Sequence, residues 1–311
     1  MPEVVISEFM DEAAVDALRA RHETLYDPDL VDRIEDLKAA LKGAKALVVR
    51  NRTKVTAEIL KASSDLQCVG RLGVGLDNID LKACEAAGVT VYPATGANDV
   101  AVAEYVVSSA LSLLRGAYHR SADVAAGRWP RQQMIGREAM DKRLGLVGFG
   151  GIARQVAARG RVIGFEIAAH DPFLPEADAA WQNATRLDLG ALLETSDVIS
   201  LHVPLTEGTR HLIDGRAIAG MKPGAILINT ARGGVVDEPA LTEALRAGKL
   251  GGAALDVFET EPLTAEAGRI FDGIANLILT PHIAGVTEEA NVRVSALTAE
   301  NVLNHLAKGR P

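Results

Sequence analysis

Short β-branched runs alternate with amphipathic stretches from the first residues onward. Val4-Val5-Ile6, Leu47-Val48-Val49, Gln67-Cys68-Val69 and Val89-Thr90-Val91 read as strands, and the segments between them carry helical spacing. Parallel neighbours need a long crossover, usually a helix, so this rhythm predicts a parallel sheet. A second series supplies six more strands in order: Leu144 to Val147, Glu166 to Ala169, Val198 to Leu201, Ala225 to Ile228, Ala253 to Asp256 and Leu277 to Leu279. The fold class predicted is α/β, with two Rossmann-like doubly wound parallel-sheet domains.

Two long helices separate the series. In Asn98 to Arg115 the residues Val102, Val106, Ala110 and Leu113 fall on one face, with Asn98 and Asp99 as caps; in Glu288 to Leu306 the stripe is Val292, Ala296, Ala299 and Leu303. The first is read as the crossing into a second domain and the second as the return. The expected division is 1–97 plus 286–311 and 98–285, the first domain being discontinuous. A length of 311 residues suits two domains, and 29 glycines with 4% aromatics suit an α/β architecture.

The net charge of -8 argues against a general nucleic-acid or membrane-surface binder. Val100 to Leu114 is apolar but interrupted by Glu104 and serines, so it reads as a packed helix rather than a span. The opening MPEVVISEFMDE reads as a strand entering a helix, not as a secretory signal. Cys68 and Cys84 lack CxxC spacing; buried free thiols in a reducing cytoplasm are expected, with no disulfide and no metal.

The candidate chemistry begins at Gly148-Phe-Gly150-Gly151-Ile152-Ala153, a GxGxxA turn between an apolar strand and a helix. Gly148 permits the tight turn, Gly150 lets the backbone approach a pyrophosphate, Ala153 allows close helix packing, and the helix N-terminus offers free N–H groups. Asp171 ends the next strand, where the acidic residue that binds ribose hydroxyls is expected, and it favours NAD by repelling a 2′-phosphate. The alternative for Asp171 is a simple Asp-Pro turn.

Three later strand ends carry unusual polar residues: Asn229-Thr230-Ala231-Arg232-Gly-Gly, Asp256-Val-Phe-Glu259-Thr-Glu261 and Thr280-Pro281-His282. Arg232 can fork onto a carboxylate and touch a carbonyl oxygen. His282 is the candidate for proton transfer, since an imidazole is the side chain most used for it, and Glu261 is the candidate carboxylate to orient it. Each residue alone reads as an ordinary loop or surface group; their joint occurrence suits interconversion of a 2-keto and a 2-hydroxy acid.

These motifs, with Val69-Gly-Arg-Leu-Gly-Val-Gly-Leu-Asp-Asn-Ile-Asp80 and His202-Val-Pro204-Leu-Thr206, make the sequence resemble the D-isomer-specific 2-hydroxyacid dehydrogenase family, phosphoglycerate dehydrogenase-like branch, over nearly the whole chain. The resemblance implies an NAD-dependent oxidoreductase with an inter-domain active-site cleft, a first domain that binds substrate and a second that binds NAD. It implies Arg232, Glu261 and His282 as catalytic residues. It implies cofactor contacts from Gly148, Gly150, Gly151, Ile152, Asp171, His202, Pro204, Thr206, Thr230, Ala231, Arg232, Asp256 and His282, with Thr230 and Asp256 at the nicotinamide end. The substrate carboxylate is placed on the backbone of Val74 and Gly75, where Gly73 and Gly75 flank exposed N–H groups. A homodimer built on the Asn98–Arg115 helix is also implied. Relatives often carry arginine at the position of Gly151, so one positive charge over the pyrophosphate is missing. No regulatory domain is expected after Pro311.

Arg50, Asn51 and Arg52 follow one strand of the first domain and Arg71 ends another. Arginines at strand ends in a chain of net charge -8 suggest a small acid with a second anionic group. 3-Phosphoglycerate and 3-sulfolactate are the leading expectations, binding through Arg50, Asn51, Val74, Gly75, Arg232 and His282. A glyoxylate or hydroxypyruvate reductase is the alternative, and a non-catalytic NAD-sensing binding protein or corepressor is the alternative of another class.

Overall fold

A computed structural model of the chain describes residues 1–308. It separates into two compact units, Met1–Asn98 with the chain from Val286 on, and Asp99–Gly285.

The first unit holds five parallel strands: β1 (Val4–Ile6), β2 (Thr24–Tyr26), β3 (Ala46–Val49), β4 (Cys68–Arg71) and β5 (Thr90–Pro93), in the order β2-β1-β3-β4-β5. Val4, Ile6, Ala46 and Val48 face Val294, Ala299 and Val302 of the helix Glu288–Lys308. Val5, Leu47, Val49 and Val69 face Leu37, Leu41 and Ile59 on the other side. Burial on both faces is why these strands read as unbroken apolar runs. The sequence pattern missed β2 because it is a partly exposed edge strand with no such run. Strand order reverses between β1 and β3, so the loops after them diverge and leave a crevice at their carboxyl ends. Glu8 and Arg50 stand there.

Seven parallel strands form the second unit: β6 (Arg143–Val147), β7 (Glu166–His170), β8 (Thr185–Arg186), β9 (Val198–Leu201), β10 (Ala225–Asn229), β11 (Leu250–Leu255) and β12 (Leu277–Leu279), in the order β12-β11-β10-β9-β6-β7-β8. The unpredicted seventh, β8, is two exposed residues at the edge and carries no apolar signal. Leu144, Leu146, Ile226, Ile228 and Ala254 pack beneath the helices Asp99–Arg115 and Gly151–Ile163, while Val147, Ile199, Leu201, Leu227 and Leu255 pack on the opposite face. The switch point lies between β6 and β9, where the glycine turn and His202 emerge. Aspartates start many of the connecting helices: the side chains of Asp188, Asp214 and Asp237 each accept an N–H of the first turn.

The helix Asp99–Arg115 buries Val102, Val106, Ala110 and Leu113 in the core of its own unit. After it, Tyr118, Trp129, Ile135 and Met140 are exposed along a run of short turns. Among the described residues no single helix is long and apolar enough to cross a membrane, and no cluster of His, Cys, Asp or Glu is placed to hold a metal ion.

Both cysteines are free and buried, and burial pushes the Cys68 thiol up to about 12. Burial, with the charge of Asp80, also raises Cys84. A thiol that stays protonated and covered is a poor nucleophile. The native protein at pH 8 is therefore expected to react negligibly with a disulfide reagent over minutes and to release two equivalents once denatured. Rapid release from the native protein would show that these thiols are accessible.

Candidate active site

The glycine turn is built by close approach. Gly148 has φ of +87°, and a Cβ on it would lie 2.5 Å from the carbonyl oxygen of His202. Its N–H donates to the carbonyl of His170 at 2.8 Å, tying the turn to the end of β7. Gly150 stands at the N-cap of the helix Gly151–Ile163 without a capping side chain, and a Cβ there would meet nothing within 4 Å. The N–H groups of Gly150, Gly151 and Ile152 thus have no acceptor among the described residues. Open space over free amides is the setting a pyrophosphate requires.

Asp171 braces this turn: one carboxylate oxygen accepts from the Phe149 N–H at 2.9 Å, the other from Phe173 and Leu174 at 3.0 and 3.2 Å. The structure adds to the sequence expectation for Gly151. A Cβ there would sit 2.3 Å from Asp99 Oδ2, so the glycine does more than omit a charge. It makes room for a carboxylate whose pKa is raised by burial, and any larger side chain must displace it.

Two buried polar atoms lack partners beside the turn, His202 Nε2 and Thr230 Oγ1. Burial lowers the His202 pKa to about 4, so its ring is neutral at ordinary pH. Free amides, a carboxylate at the end of β7 and unsatisfied polar atoms together fit a dinucleotide. Pro204 and Thr206 serve to shape their loop: Thr209 Oγ1 donates to the Pro204 carbonyl at 2.6 Å and accepts from the Thr206 N–H at 2.7 Å.

After β10 the buried Asn229 folds the next residues back, its Oδ1 accepting from Ala231 N at 3.0 Å and its Nδ2 donating to the Arg232 carbonyl at 2.9 Å. Arg232 donates through Nη1 to the Ala231 carbonyl at 2.6 Å. A Cβ on Gly233 would fall 1.7 Å from the Phe258 carbonyl oxygen, so the arginine loop is seated directly on the loop that carries Glu261. Glu261 accepts from Phe258 N at 3.0 Å with one oxygen and pairs with His282 Nδ1 at 2.8 Å with the other. His282 adopts a left-handed backbone, φ +55°, and its ring is half-exposed, with no partner for Nε2 among the described residues. Asp256, expected at the nicotinamide end, is buried, and its carboxylate accepts from the Ile283 and Ala284 N–H groups at 2.8 Å each.

Sequence reasoning missed a clamp behind Glu261. Glu259 N donates to Glu238 Oε1 at 2.7 Å, and Glu238 N donates to Glu259 Oε1 at 3.4 Å. This reciprocal pair ties the Glu261 loop to the helix Glu238–Arg246. Asn229 was likewise passed over, although an Asn at a buried strand end is a signal for backbone capping.

In the first unit, the N–H groups of Val74 and Gly75 have no acceptor among the described residues. The buried Glu8 carboxylate accepts from the backbone of Arg50, Arg52 and Thr53 at 2.9, 3.1 and 2.9 Å and so shapes the turn after β3. The Arg50 guanidinium donates to Asn291 Oδ1 at 2.8 Å and lies over the Phe9 ring, and the charge of Glu8 acts on it. Arg52 is exposed and paired with Asp32, Arg71 donates to the Leu72 carbonyl, and Asn51 is exposed beside Arg50.

The pattern of the D-isomer specific 2-hydroxyacid dehydrogenase NAD binding domain matches residues 107–284. The chain is 56% identical over 303 residues to an (S)-sulfolactate dehydrogenase of Chromohalobacter salexigens, covering 97% of both, and 39% identical to a hydroxypyruvate reductase of Thermotoga maritima, covering 97% and 98%. Among solved structures it superposes on a D-lactate dehydrogenase of Aquifex aeolicus, complexed with NAD and lactic acid, with a TM-score of 0.84 and 31% identity, covering 99% of this chain and 97% of the other. The chain belongs to the D-isomer-specific 2-hydroxyacid dehydrogenase family. It is an NAD-dependent oxidoreductase of 2-hydroxy acids.

In this dehydrogenase, an imidazole bound at Nδ1 by a carboxylate keeps Nε2 free to give or take a proton. Burial pushes the Glu261 pKa up, but the hydrogen bonds from His282 and the Phe258 N–H and the charges of His282 and Arg232 outweigh it, leaving Glu261 below its ordinary 4.5. A carboxylate depressed on folding contributes stability above its unfolded value and loses it as pH falls through the lower folded one. Carboxyl-selective NMR titration of Glu261 is accordingly expected to show a midpoint below 4.5 that rises in His282→Ala. A midpoint above 4.5 in the unaltered enzyme would contradict the pairing.

Proposed function

We propose that the enzyme interconverts (S)-3-sulfolactate and 3-sulfopyruvate in a cytoplasmic setting. The observation that carries this reading is Arg50: a half-buried cation at the β1/β3 switch point, held by the neutral Asn291. Burial lowers its pKa more than the nearby charge of Glu8 raises it, so an anionic ligand would offset the cost of its desolvation. A sulfonate carries a single charge, whereas a phosphate monoester carries about -1.5 to -2 at neutral pH. With Arg52 engaged by Asp32 and Arg71 bonded to the Leu72 carbonyl, one arginine suits the single charge better. The 56% identity to an (S)-sulfolactate dehydrogenase points the same way. The (S) label agrees with a D-specific family, because a CH₂SO₃⁻ group outranks the carboxylate in naming and inverts the descriptor of the D arrangement.

In this reading the first unit, 1–97 plus 286–311, binds substrate: Val74 and Gly75 give N–H groups to the carboxylate, and Arg50 with Asn51 takes the sulfonate. The second, 98–285, holds NAD through Gly148, Gly150, Gly151 and Ile152 at the pyrophosphate, Asp171 at the ribose, and His202, Pro204, Thr206, Thr230 and Ala231 along the later loops. NADH, when bound, supplies the hydride. Arg232 orients the carboxylate and polarises the ketone, His282 gives its Nε2 proton to the 2-oxygen, and Glu261 holds the imidazole; oxidation reverses these roles.

We also propose a homodimer. The helix Asp99–Arg115 spends its apolar face inside its own unit, so the surface that supports association is the exposed run with Tyr118, Trp129 and Ile135. Light scattering is expected to give twice the chain mass, reduced toward one chain in Trp129→Glu; a monomeric unaltered protein refutes the dimer.

A panel of 3-sulfopyruvate, 3-phosphohydroxypyruvate, hydroxypyruvate, glyoxylate and pyruvate tests the substrate by NADH oxidation. The highest kcat/KM is expected for 3-sulfopyruvate, and Arg50→Ala should lower it by about 10²-fold or more while changing glyoxylate by less than about threefold. Equal losses on both, or preference for the phosphorylated acid, overturn the sulfonate assignment. His282→Ala is expected to cut kcat by about 10² to 10⁴ with NADH binding intact. Full activity in that variant would remove His282 from the chemistry.

A further inference from the structure

The left-handed backbone of His282 is held by a hydrogen-bond chain that begins on a helix with no other part in the chemistry. His282 N donates to the carbonyls of Asp256 at 2.8 Å and of Thr280 at 3.0 Å. The next two amides, Ile283 and Ala284, donate to the Asp256 carboxylate. The backbone at and after the histidine is therefore anchored on one buried aspartate.

That aspartate is in turn fixed from one side. Thr280 donates its hydroxyl proton to Asp256 Oδ1 at 2.6 Å. A hydroxyl has one proton to give, so the 2.5 Å bond between Thr280 Oγ1 and Tyr105 Oη must run from the tyrosine to the threonine. Tyr105 stands on the helix Asp99–Arg115, anchored in the core by Val102, Val106 and Ala110. Burial raises the pKa of its phenol, which keeps it a donor throughout the neutral range.

We propose that Tyr105, acting through Thr280 and Asp256, is a positioning residue for His282. The chain has a single polarity, Tyr105 to Thr280 to Asp256, with the carboxylate as common acceptor for two of the backbone amides that follow the histidine. Asp256 is thereby committed to the shape of the histidine loop. Tyr105 sets where the imidazole stands relative to Glu261 without touching substrate or cofactor. The proposal rests on the reading of His282 as proton donor.

The test compares Tyr105→Phe, Thr280→Val and Thr280→Ser with the unaltered holoenzyme, using the best 2-keto acid of the panel. Tyr105→Phe keeps the ring and removes the donor; kcat is expected to fall about tenfold or more, with the NADH Kd, read by fluorescence titration, within about twofold. Thr280→Val should reproduce that loss and Thr280→Ser should retain more activity than Thr280→Val. The double variant Tyr105→Phe/Thr280→Val should lose no more than the worse single one, because both cut one chain. Hydrogen exchange in the peptide spanning 280–285 should quicken in Tyr105→Phe, a readout independent of turnover. An unchanged kcat in Tyr105→Phe, unchanged exchange, or a kcat loss matched by an equal loss of NADH affinity overturns the proposal. If His282→Ala kept full activity the underlying reading would fall, whereas an inactive His282→Ala beside a fully active Tyr105→Phe would remove this proposal alone.

Discussion

Parallel pairing is the constraint on which the chemistry of this enzyme depends. When all strands of a sheet run the same way, all their carboxyl ends lie along one edge, and whatever follows each strand is displayed there. In the second unit β6 delivers Gly148, β7 Asp171, β9 His202, β10 Thr230 and Arg232, β11 Asp256, and β12 Thr280 and His282. None of these residues is more than three positions past its strand. Register therefore translates directly into the placement of reactive groups. Slippage is resisted because the central strands are buried on both faces by separate sets of apolar residues, and a one-residue shift would exchange the two sets.

Edge placement brings groups to one side but does not shape the loops, and here carboxylates do that work from behind. Glu8 gathers three backbone amides after β3, Asp171 three around the glycine turn, and Asp256 two beyond His282. Glu238 and Glu259 lock each other's amides beneath Glu261. The buried Glu8 and Asp256 are each satisfied by donors that would otherwise be orphaned, so their desolvation is offset by several charge-assisted bonds at once. A surplus of acidic residues in the chain is thus compatible with binding anionic ligands. Many of these acids face the backbone rather than a ligand.

Much of the architecture was legible because the strands that matter most are the most buried and so the most apolar. Ten strands announced themselves, and the two that did not, β2 and β8, are short, exposed and at sheet edges, where nothing selects a hydrophobic run. Among the candidate residues, Arg232, Glu261 and His282 were readable as an unusual polar set at strand ends, and the structure draws Glu261 to His282 and seats the Arg232 loop against that of Glu261. Groups that act through the backbone were not readable. Glu238 and Tyr105 look ordinary in sequence, and Asn229 and Thr280 stood out only as parts of polar strand ends, since their significance lies in which amide or hydroxyl they meet. Asp99 opposite Gly151 is of the same kind: the glycine was visible, the carboxylate filling its space was not.

The same logic bears on how such a site selects among small acids. Every 2-keto acid presents a carboxylate and a ketone, so groups that meet only those two features offer little discrimination between such acids. Discrimination must come from a group that only some substrates satisfy. In the proposed assignment Arg50 is that kind of group, its guanidinium partly desolvated and held in place by Asn291 and Phe9. A desolvated cation penalises a ligand that leaves it unpaired more than it rewards one that fits, as with any buried polar group built for a partner. Glyoxylate and pyruvate, which end in hydrogen and methyl, leave that charge unanswered, whereas a sulfonate one carbon farther out answers it. On the proposed assignment, specificity comes less from added attraction than from the cost, borne by the shorter acids, of a charge the fold keeps half out of water.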